Sequence, residues 1–129
     1  MTRVVIDTSI LVDASRGDPR AVGFLADTVD AGEVWSVTVV RTELRWGMRP
    51  SEGPDIDRLL ASIYWLDVSS ELADRAGSFG REYGRSHGLD IVDTLVAAAA
   101  EFLDADVATI NVRDFPMFPD LQAPFRLDG

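Results

Sequence analysis

The apolar run Val4-Val5-Ile6 is followed at once by the polar triplet Asp7-Thr8-Ser9. A short, continuous run of β-branched residues is typical of a strand buried on both faces, as in parallel sheets covered by helices. The polar triplet can cap a helix that continues to about Val12. We therefore expect a buried strand and, at its carboxyl end, the start of a helix.

The same alternation of short apolar runs and amphipathic segments continues along the chain. Strands alternating with helices indicate a three-layer α/β/α sandwich around a mostly parallel sheet of four to five strands. The 129 residues are expected to form one domain, 1–129. Further strands are predicted at 34–37, within 64–68, at 107–109 and at 124–127, and further helices at 21–29, 38–48, 56–63, 70–85 and from Asp90 onward.

Composition excludes several kinds of site. The chain has no cysteine, so disulfides and thiolate zinc sites are ruled out. The one histidine, His87, is expected at a solvent-facing helix end and cannot form a His-based metal site. No apolar run approaches the roughly 20 residues of a membrane span, and no basic segment precedes a signal core. A cytoplasmic protein that does not enter the membrane is expected.

The charge of the chain constrains its partners. There are 22 acidic residues against 12 basic ones, all of them arginine, and the formal net charge is -10. Nucleic-acid binding normally depends on neutralising phosphates, so this balance argues against a general nucleic-acid binder. The conflict is smaller if several acids converge on divalent metal ions or if a basic partner covers them.

Two candidate acids lie in the first half of the chain. Asp7 directly follows the first strand, and its alternative role is a helix cap, although Thr8-Ser9 could cap as well. Glu43 is in mid-helix on the side of Val39-Val40, which places it at the edge of the core. The alternative for Glu43 is a solvated helix residue.

Two more candidates lie in the second half. Asp93 is surrounded by the apolar segment 91–97, just after Asp90, which is expected to cap the helix. Asp93 is then either a first-turn partner of the helix dipole or a metal ligand, because a carboxylate among apolar residues needs a partner. Asp114 follows the fourth strand together with Asn111, and taken alone it fits a polar loop residue.

Together these segments resemble the PIN-domain family, and specifically the VapC-type toxins of bacterial toxin–antitoxin pairs, over nearly the whole chain. Each fragment is unspecific alone, but four in this order and spacing form a strong signal. The segment 5–9 is similar to the family's opening strand and first acid, 39–44 to the second acid, 93–98 to the third acid with its alanine-rich helix, and 109–115 to the closing motif with the fourth acid.

The resemblance implies a PIN-like fold and a metal-dependent endoribonuclease with Mg²⁺ or Mn²⁺ as cofactor and tRNA, rRNA or mRNA as substrate. It also implies a homodimer held inactive by a VapB-type antitoxin, whose basic segment an acidic chain would attract. Clustered carboxylates suit such hard cations, and without metal they would repel, leaving the site strained or partly protonated. The implied catalytic and metal-binding residues are Asp7, Glu43, Asp93 and Asp114, and the supporting residues are Thr8, Ser9, Asn111 and Asp90, of which Asp90 could replace or supplement Asp93.

Three other functions remain open at this point. A phosphatase of the haloacid-dehalogenase type would need a second acid two residues after Asp7, where the chain has Ser9. A DNA nuclease is not distinguished by any short motif. A non-catalytic PIN-like domain that binds RNA or protein is the third, although all four acids are present.

The tryptophans and one arginine series have alternative roles too. Trp35, Trp46 and Trp65 are expected in the core or an interface, with Trp46 the exception that could stack on a base. The helices around Trp46, Tyr64 and Trp65 are candidates for the dimer face. Arg41, Arg45 and Arg49 repeat every four residues and line one stripe, which either contacts phosphate or is a solvated helix face.

Overall fold

The computed structural model describes residues 2–125, with all side chains in that range except that of Arg85. It has four strands and six α-helices in the order that the alternation predicts, with two short 3₁₀ helices. In chain order the elements are β1 (Thr2–Ile6), α1 (Thr8–Ser15), α2 (Pro19–Ala31), β2 (Gly32–Val37), α3 (Thr38–Gly47), a first 3₁₀ helix (Pro50–Glu52), α4 (Gly53–Ala61), β3 (Tyr64–Leu66), α5 (Ser70–His87), α6 (Ile91–Leu103), β4 (Asp106–Ala108) and a second 3₁₀ helix (Val112–Asp114).

The four strands form one parallel sheet in the order β3-β2-β1-β4. The chain therefore starts near the centre, builds outward through β2 and β3, and then crosses back to place β4 on the other side of β1. Val5 pairs with both Trp35 of β2 and Val107 of β4. The direction of building reverses between β1 and β4, and such a switch point opens a crevice at the carboxyl ends of the strands.

Helices cover the sheet on both faces, so the predicted three-layer α/β/α sandwich is confirmed. Val5 and Ile6 of β1 are fully buried, as expected for a strand covered on both sides. Helix α6 is buried from Thr94 to Ala100 and packs against α5, β1 and β2. The small side chains of α6 allow this close approach. The N-terminus of α6 therefore lies near the carboxyl end of β1.

The observed strands differ from the predicted ones by one or two residues at several ends, and also in number. β3, at Tyr64–Leu66, lies within the segment 64–68, where the sequence predicts a strand. In the predicted fifth strand, Pro124 and Phe125 form a bend, and Arg126 and Leu127 lie outside the described residues. The sheet described here therefore has four strands.

The three tryptophans differ in exposure. Trp46 is 88% exposed, which excludes the core and leaves an interface or base stacking as its expected role, whereas Trp35 and Trp65 are partly buried and pack against the core. The arginine stripe is broken because α3 ends at Gly47, before Arg49. None of the helices in the described part of the chain is long and apolar enough to cross a membrane.

Candidate active site

The carboxyl ends of β1 and β4 meet at Asp7. The Asp7 backbone N–H donates to the carbonyl oxygen of Ala108, the last residue of β4, at 2.9 Å. Asp7 and Thr109, the first residues after these two strands, therefore lie side by side at the switch point of the sheet. Thr109 is fully buried, and Asp7 is only 4% exposed.

Three hydrogen bonds hold the Asp7 carboxylate. Oδ1 accepts from the Thr8 backbone N–H at 2.8 Å, and Oδ2 accepts from the hydroxyls of Ser9 at 3.2 Å and Thr109 at 2.8 Å. Asp7 is thus the N-cap of α1 as well as a site residue, although Thr8 and Ser9 were available as caps. A carboxylate has about four lone-pair positions, so these bonds leave Oδ1 able to bind a further ligand.

The environment of Asp7 disfavours its charge. Burial raises its pKa above the ordinary value, and the nearby charge of Glu43 raises it further. The hydrogen bonds from Thr109, Thr8 and Ser9 lower the pKa and so oppose this effect. Within residues 2–125 Asp7 has no ion pair, so a cation bound beside it would supply the missing counter-charge.

Thr8 links Asp7 to Glu43. Its backbone N–H binds Asp7, and its hydroxyl donates to Glu43 Oε1 at 2.6 Å. Glu43 projects from α3, which packs against α1. Glu43 is exposed, so the expectation that it lies at the edge of the core was wrong, and the bond from Thr8 is what directs it toward the site.

The N-terminus of α6 presents the other pair of acids. Asp90 Oδ1 accepts from the Asp93 backbone N–H at 2.9 Å, and Asp93 Oδ2 accepts from the Asp90 backbone N–H at 3.3 Å. This reciprocal capping box confirms Asp90 as the cap and shows that Asp93 also has a structural role. Asp93 remains partly buried, while Asp90 is exposed.

Asp93 shows the strongest electrostatic sign of a clustered site. Its pKa is raised to about 7, first because it is buried and second because of the charge of Asp90. Asp7 and Asp114 raise the pKa further, which means that the acids contributed by β1, α6 and the second 3₁₀ helix lie within electrostatic reach of one another. Burial therefore raises the pKa of Asp93 more than does the repulsion between neighbouring acids that the sequence predicts.

Asn111 and Asp114 come from the segment after β4. The Asn111 backbone N–H donates to the Thr109 hydroxyl at 2.9 Å, and the Asp114 backbone N–H donates to the Asn111 carbonyl at 2.9 Å. Asp114 is partly buried within the 3₁₀ helix, whereas Asn111 is exposed. Thr109 thus couples the segment that carries Asp114 to the Asp7 carboxylate.

The donor set fits a divalent metal ion in its chemistry. Every candidate ligand is a carboxylate, the hard oxygen donor that Mg²⁺ and Mn²⁺ prefer. Across residues 2–125 no three acidic or histidine side chains already converge on one point. Glu43 is held by Thr8, and Asp93 by the Asp90 backbone, so binding one ion through all of them requires side-chain rotation.

Thr109 is the site residue that the sequence interpretation missed. Its signal was present in the sequence, because a hydroxyl directly follows the buried strand β4 just as Asp7 directly follows β1. Nothing local shows that these two positions become neighbours. Their side chains are 102 residues apart in the chain and meet only because β4 pairs with β1.

Replacing Thr109 by Val is expected to destabilise the protein by about 1.5–3 kcal/mol at pH 7, because the buried Asp7 carboxylate loses a hydrogen-bond donor. The pKa of Asp7 should rise at the same time. Urea unfolding and NMR titration of the carboxyl carbon measure the two effects. Thr109→Ser, which keeps the hydroxyl, is the matched control. Equal stability and equal Asp7 titration in the two variants would show that the hydroxyl does not hold Asp7.

Comparison with known proteins gives a consistent result. Residues 4–117 match the family model described as PIN domain. Ribonuclease VapC19 of Mycobacterium tuberculosis is 44% identical over 123 residues, covering 94% of this chain and 98% of that protein. Ribonuclease VapC10 of the same organism is 36% identical over 127 residues, covering 98% and 96%. A toxin–antitoxin complex from Klebsiella pneumoniae has a chain that matches with a TM-score of 0.77 at 20% identity, covering 96% of this chain and 99% of that chain.

Proposed function

This chain belongs to the PIN domain family, and on that premise we propose that it is a metal-dependent endoribonuclease, the toxin of a toxin–antitoxin pair. The relatives that cover nearly its whole length are named ribonucleases. PIN-domain ribonucleases are generally dependent on divalent metal ions. We take the ion to be Mg²⁺ or Mn²⁺, because the donors are all carboxylates.

The observation that carries this proposal is the buried carboxylate of Asp7 at the switch point between β1 and β4. Burial and neighbouring acids raise the pKa of both Asp7 and Asp93. Helix capping requires neither the burial of Asp7 nor the approach of the other acids, so the arrangement favours a functional reason for keeping them. Asp7, Glu43, Asp93 and Asp114 are the proposed catalytic and metal-binding residues.

Each of these residues has a distinct task in the proposed reaction. Asp7 is held rigidly by its three hydrogen bonds and fixes the position of the metal site. Glu43 on α3, Asp93 on α6 and Asp114 would hold a divalent ion together with Asp7. Such an ion would lower the pKa of a water and offset charge on the scissile phosphate. Thr8, Ser9, Asn111 and Asp90 are the proposed supporting residues, which orient the acids.

The proposed binding partners of this chain are inferred from its relatives and from its net charge. A chain of the related Klebsiella structure belongs to a toxin–antitoxin complex, and we propose a VapB-type antitoxin for this chain. A net charge of -10 would attract a basic partner and strengthen the encounter. Residues 1–129 are proposed to act as one domain that forms a homodimer in the cytoplasm and cleaves tRNA, rRNA or mRNA.

Incubation of total cellular RNA with the purified protein tests the function. Discrete fragments are expected with Mg²⁺ or Mn²⁺, and none with chelator, because the acids need the cation to act on phosphate. Asp93→Asn should abolish cleavage. Asp27→Asn is the matched control, since Asp27 is an exposed acid on α2 and should leave cleavage unchanged.

Three outcomes of this assay would contradict the proposal. Metal-independent cleavage would argue against the carboxylate site. Folded protein that cuts DNA but not RNA would assign a different nucleic acid, and folded protein that cuts neither would favour a binding role. Unchanged cleavage after 1:1 mixing with a co-encoded small basic protein would remove the antitoxin from the proposal.

A further inference from the structure

Trp46 is placed on the surface beside the candidate active site. Its side chain is 88% exposed, on α3, three positions after Glu43. Residues three apart on a helix are neighbours on its surface. An indole in this position leaves a large aromatic face in water, and burying that face against a ligand would be favourable.

Two arginines of α3, Arg41 and Arg45, line the same concavity as Trp46. Arg41 places its guanidinium 5.3 Å from the centre of the Trp65 ring and forms no ion pair within residues 2–125. Arg45 binds the exposed Asp57 of α4 at 2.7 Å. This cation–π contact with Trp65 positions the Arg41 guanidinium, and its N–H donors can still bind an anion.

The arginines and Trp46 belong to an open concavity of about 610 Å³ whose lining contains no carboxylate. We call this surface the α3 face and define it by its lining residues, Thr38, Arg41, Thr42, Arg45 and Trp46. Four other concavities of the described chain each include at least one acid. In a chain with 22 acids against 12 arginines, an acid-free surface lined by two arginines favours an anionic ligand. Glu43 precedes Trp46 by three positions, so the Trp46 end of this surface adjoins one of the candidate acids.

We infer that the α3 face binds an unpaired nucleotide of the RNA substrate, with its base stacked on Trp46 and its phosphates on Arg41 and Arg45. This inference rests on the proposed ribonuclease function. Unpaired bases stack on aromatic side chains and guanidinium planes, and such contacts tolerate any sequence. The α3 face thus holds the strand, and the acids next to it perform the cleavage.

A second copy of this chain fits the α3 face less well than RNA. In a two-fold contact the same patch meets itself, which would bring the arginines of two α3 faces together. The face itself offers no carboxylate to pair with them. RNA supplies a phosphate for each guanidinium and a base for the indole, so its chemistry matches the three large side chains of the face.

Binding of a short, unpaired, fluorescently labelled RNA oligonucleotide to the full chain tests the inference. Fluorescence anisotropy in chelator measures binding without cleavage. Trp46→Ala should weaken binding by about tenfold or more through the lost stacking, and Trp46→Phe should restore part of it. Phe102→Ala is the control, because Phe102 is 60% exposed but lies near the C-terminal end of α6.

The arginines give two further readouts. Arg41→Ala should reduce the slope of log binding constant against log salt by about 0.7, the value for one phosphate of a single strand. Asp57→Asn should tighten binding, because it releases Arg45 and removes a negative charge.

In the cleavage assay with metal, Trp46→Ala should raise KM and leave kcat nearly unchanged.

The outcomes separate this inference from the proposed function. If wild-type protein cleaves RNA, Asp93→Asn does not, and Trp46→Ala has wild-type KM and binding, then the α3-face inference alone is overturned. If Trp46→Ala converts a dimer into a monomer in light scattering without weakening oligonucleotide binding, the occupant is a second copy, and the inference is likewise overturned. If wild-type protein does not cleave RNA at all, the proposed function fails first.

Discussion

Replacing Asp7 by Asn is expected to reduce metal-dependent RNA cleavage roughly 10²- to 10³-fold, which is the usual effect of removing one electrostatic group from a reaction centre. The fold should be retained. Asn Oδ1 can still accept from the Thr8 backbone N–H, and the hydroxyls of Ser9 and Thr109 can rotate to accept from the new amide. A neutral side chain also suits a position where burial raises the pKa of the native carboxyl.

Initial rates of fragment formation and a thermal melt of the same preparation measure this prediction. Asp27→Asn, which makes the same chemical change on the exposed face of α2, should match the wild type in both measurements. Asp7→Asn protein that melts like the wild type and cleaves RNA at the wild-type rate would exclude Asp7 from the reaction centre. Loss of activity together with unfolding would show that its capping role dominates.

The stability of the metal-free protein is expected to fall as the pH rises from about 5 to 7, above the range in which the carboxyls with lowered pKa values, Asp18, Glu33 and Glu101, titrate. The pKa of Asp93 is raised from 3.8 to about 7, so between these values the folded protein holds a proton that the unfolded chain has released. Its contribution to stability is therefore present at low pH and lost as the pH passes the folded pKa. Asp7, whose pKa is also raised, acts in the same direction.

The loss of stability between low and neutral pH depends on how strongly solvent screens the charge of Asp93, which is only partly buried. After allowance for that screening we expect about 1–2 kcal/mol, which corresponds to a decrease in Tm of roughly 3–10 °C for a chain of this size. Thermal melts in chelator at pH 5, 6, 7 and 8 measure the decrease. Asp93→Asn should flatten the profile and melt above the wild type at pH 8, since its amide oxygen can still accept from Asp90.

Divalent metal provides the complementary control for Asp93. Mg²⁺ or Mn²⁺ should raise the Tm of the wild type at pH 8 by binding the folded form, and should raise that of Asp93→Asn much less. Asp27→Asn should keep the wild-type profile in all conditions. A wild-type Tm that rises between pH 5 and 8 in chelator would contradict the raised pKa of Asp93 and the clustering of acids around it.

Local features of the sequence were sufficient to predict the strands and helices. The apolar run ending at Ile6, the helical spacing along α5 and the Asp90 cap depend on neighbours within a few residues, and the structure confirms all three. The end of α3 was less clear, because Met48 and Arg49 continue the helical spacing after the helix has stopped at Gly47. A pattern of side chains does not by itself mark where backbone hydrogen bonding ends.

Exposure of single side chains required the assembled fold. Trp46 and Trp65 are the same residue type, yet Trp65 packs against the core and donates to the Leu60 carbonyl while Trp46 faces water. The helix face that a residue occupies follows from the sequence, but the neighbour that covers that face does not. The sequence therefore placed Trp46 one helical turn after Glu43 but did not decide whether its side chain is exposed.

The sequence by itself determined the parallel α/β fold, because strand burial and helix periodicity are short-range properties of the chain, and its resemblance to PIN-domain proteins singled out the four candidate acids. Only the tertiary structure decided how those acids are held. Thr109 reaches Asp7 because β4 crosses back to pair with β1, and Thr8 reaches Glu43 because α3 packs on α1. The physical reason is that these contacts are fixed by the order of strands and the packing of layers, which depend on the burial of the whole core.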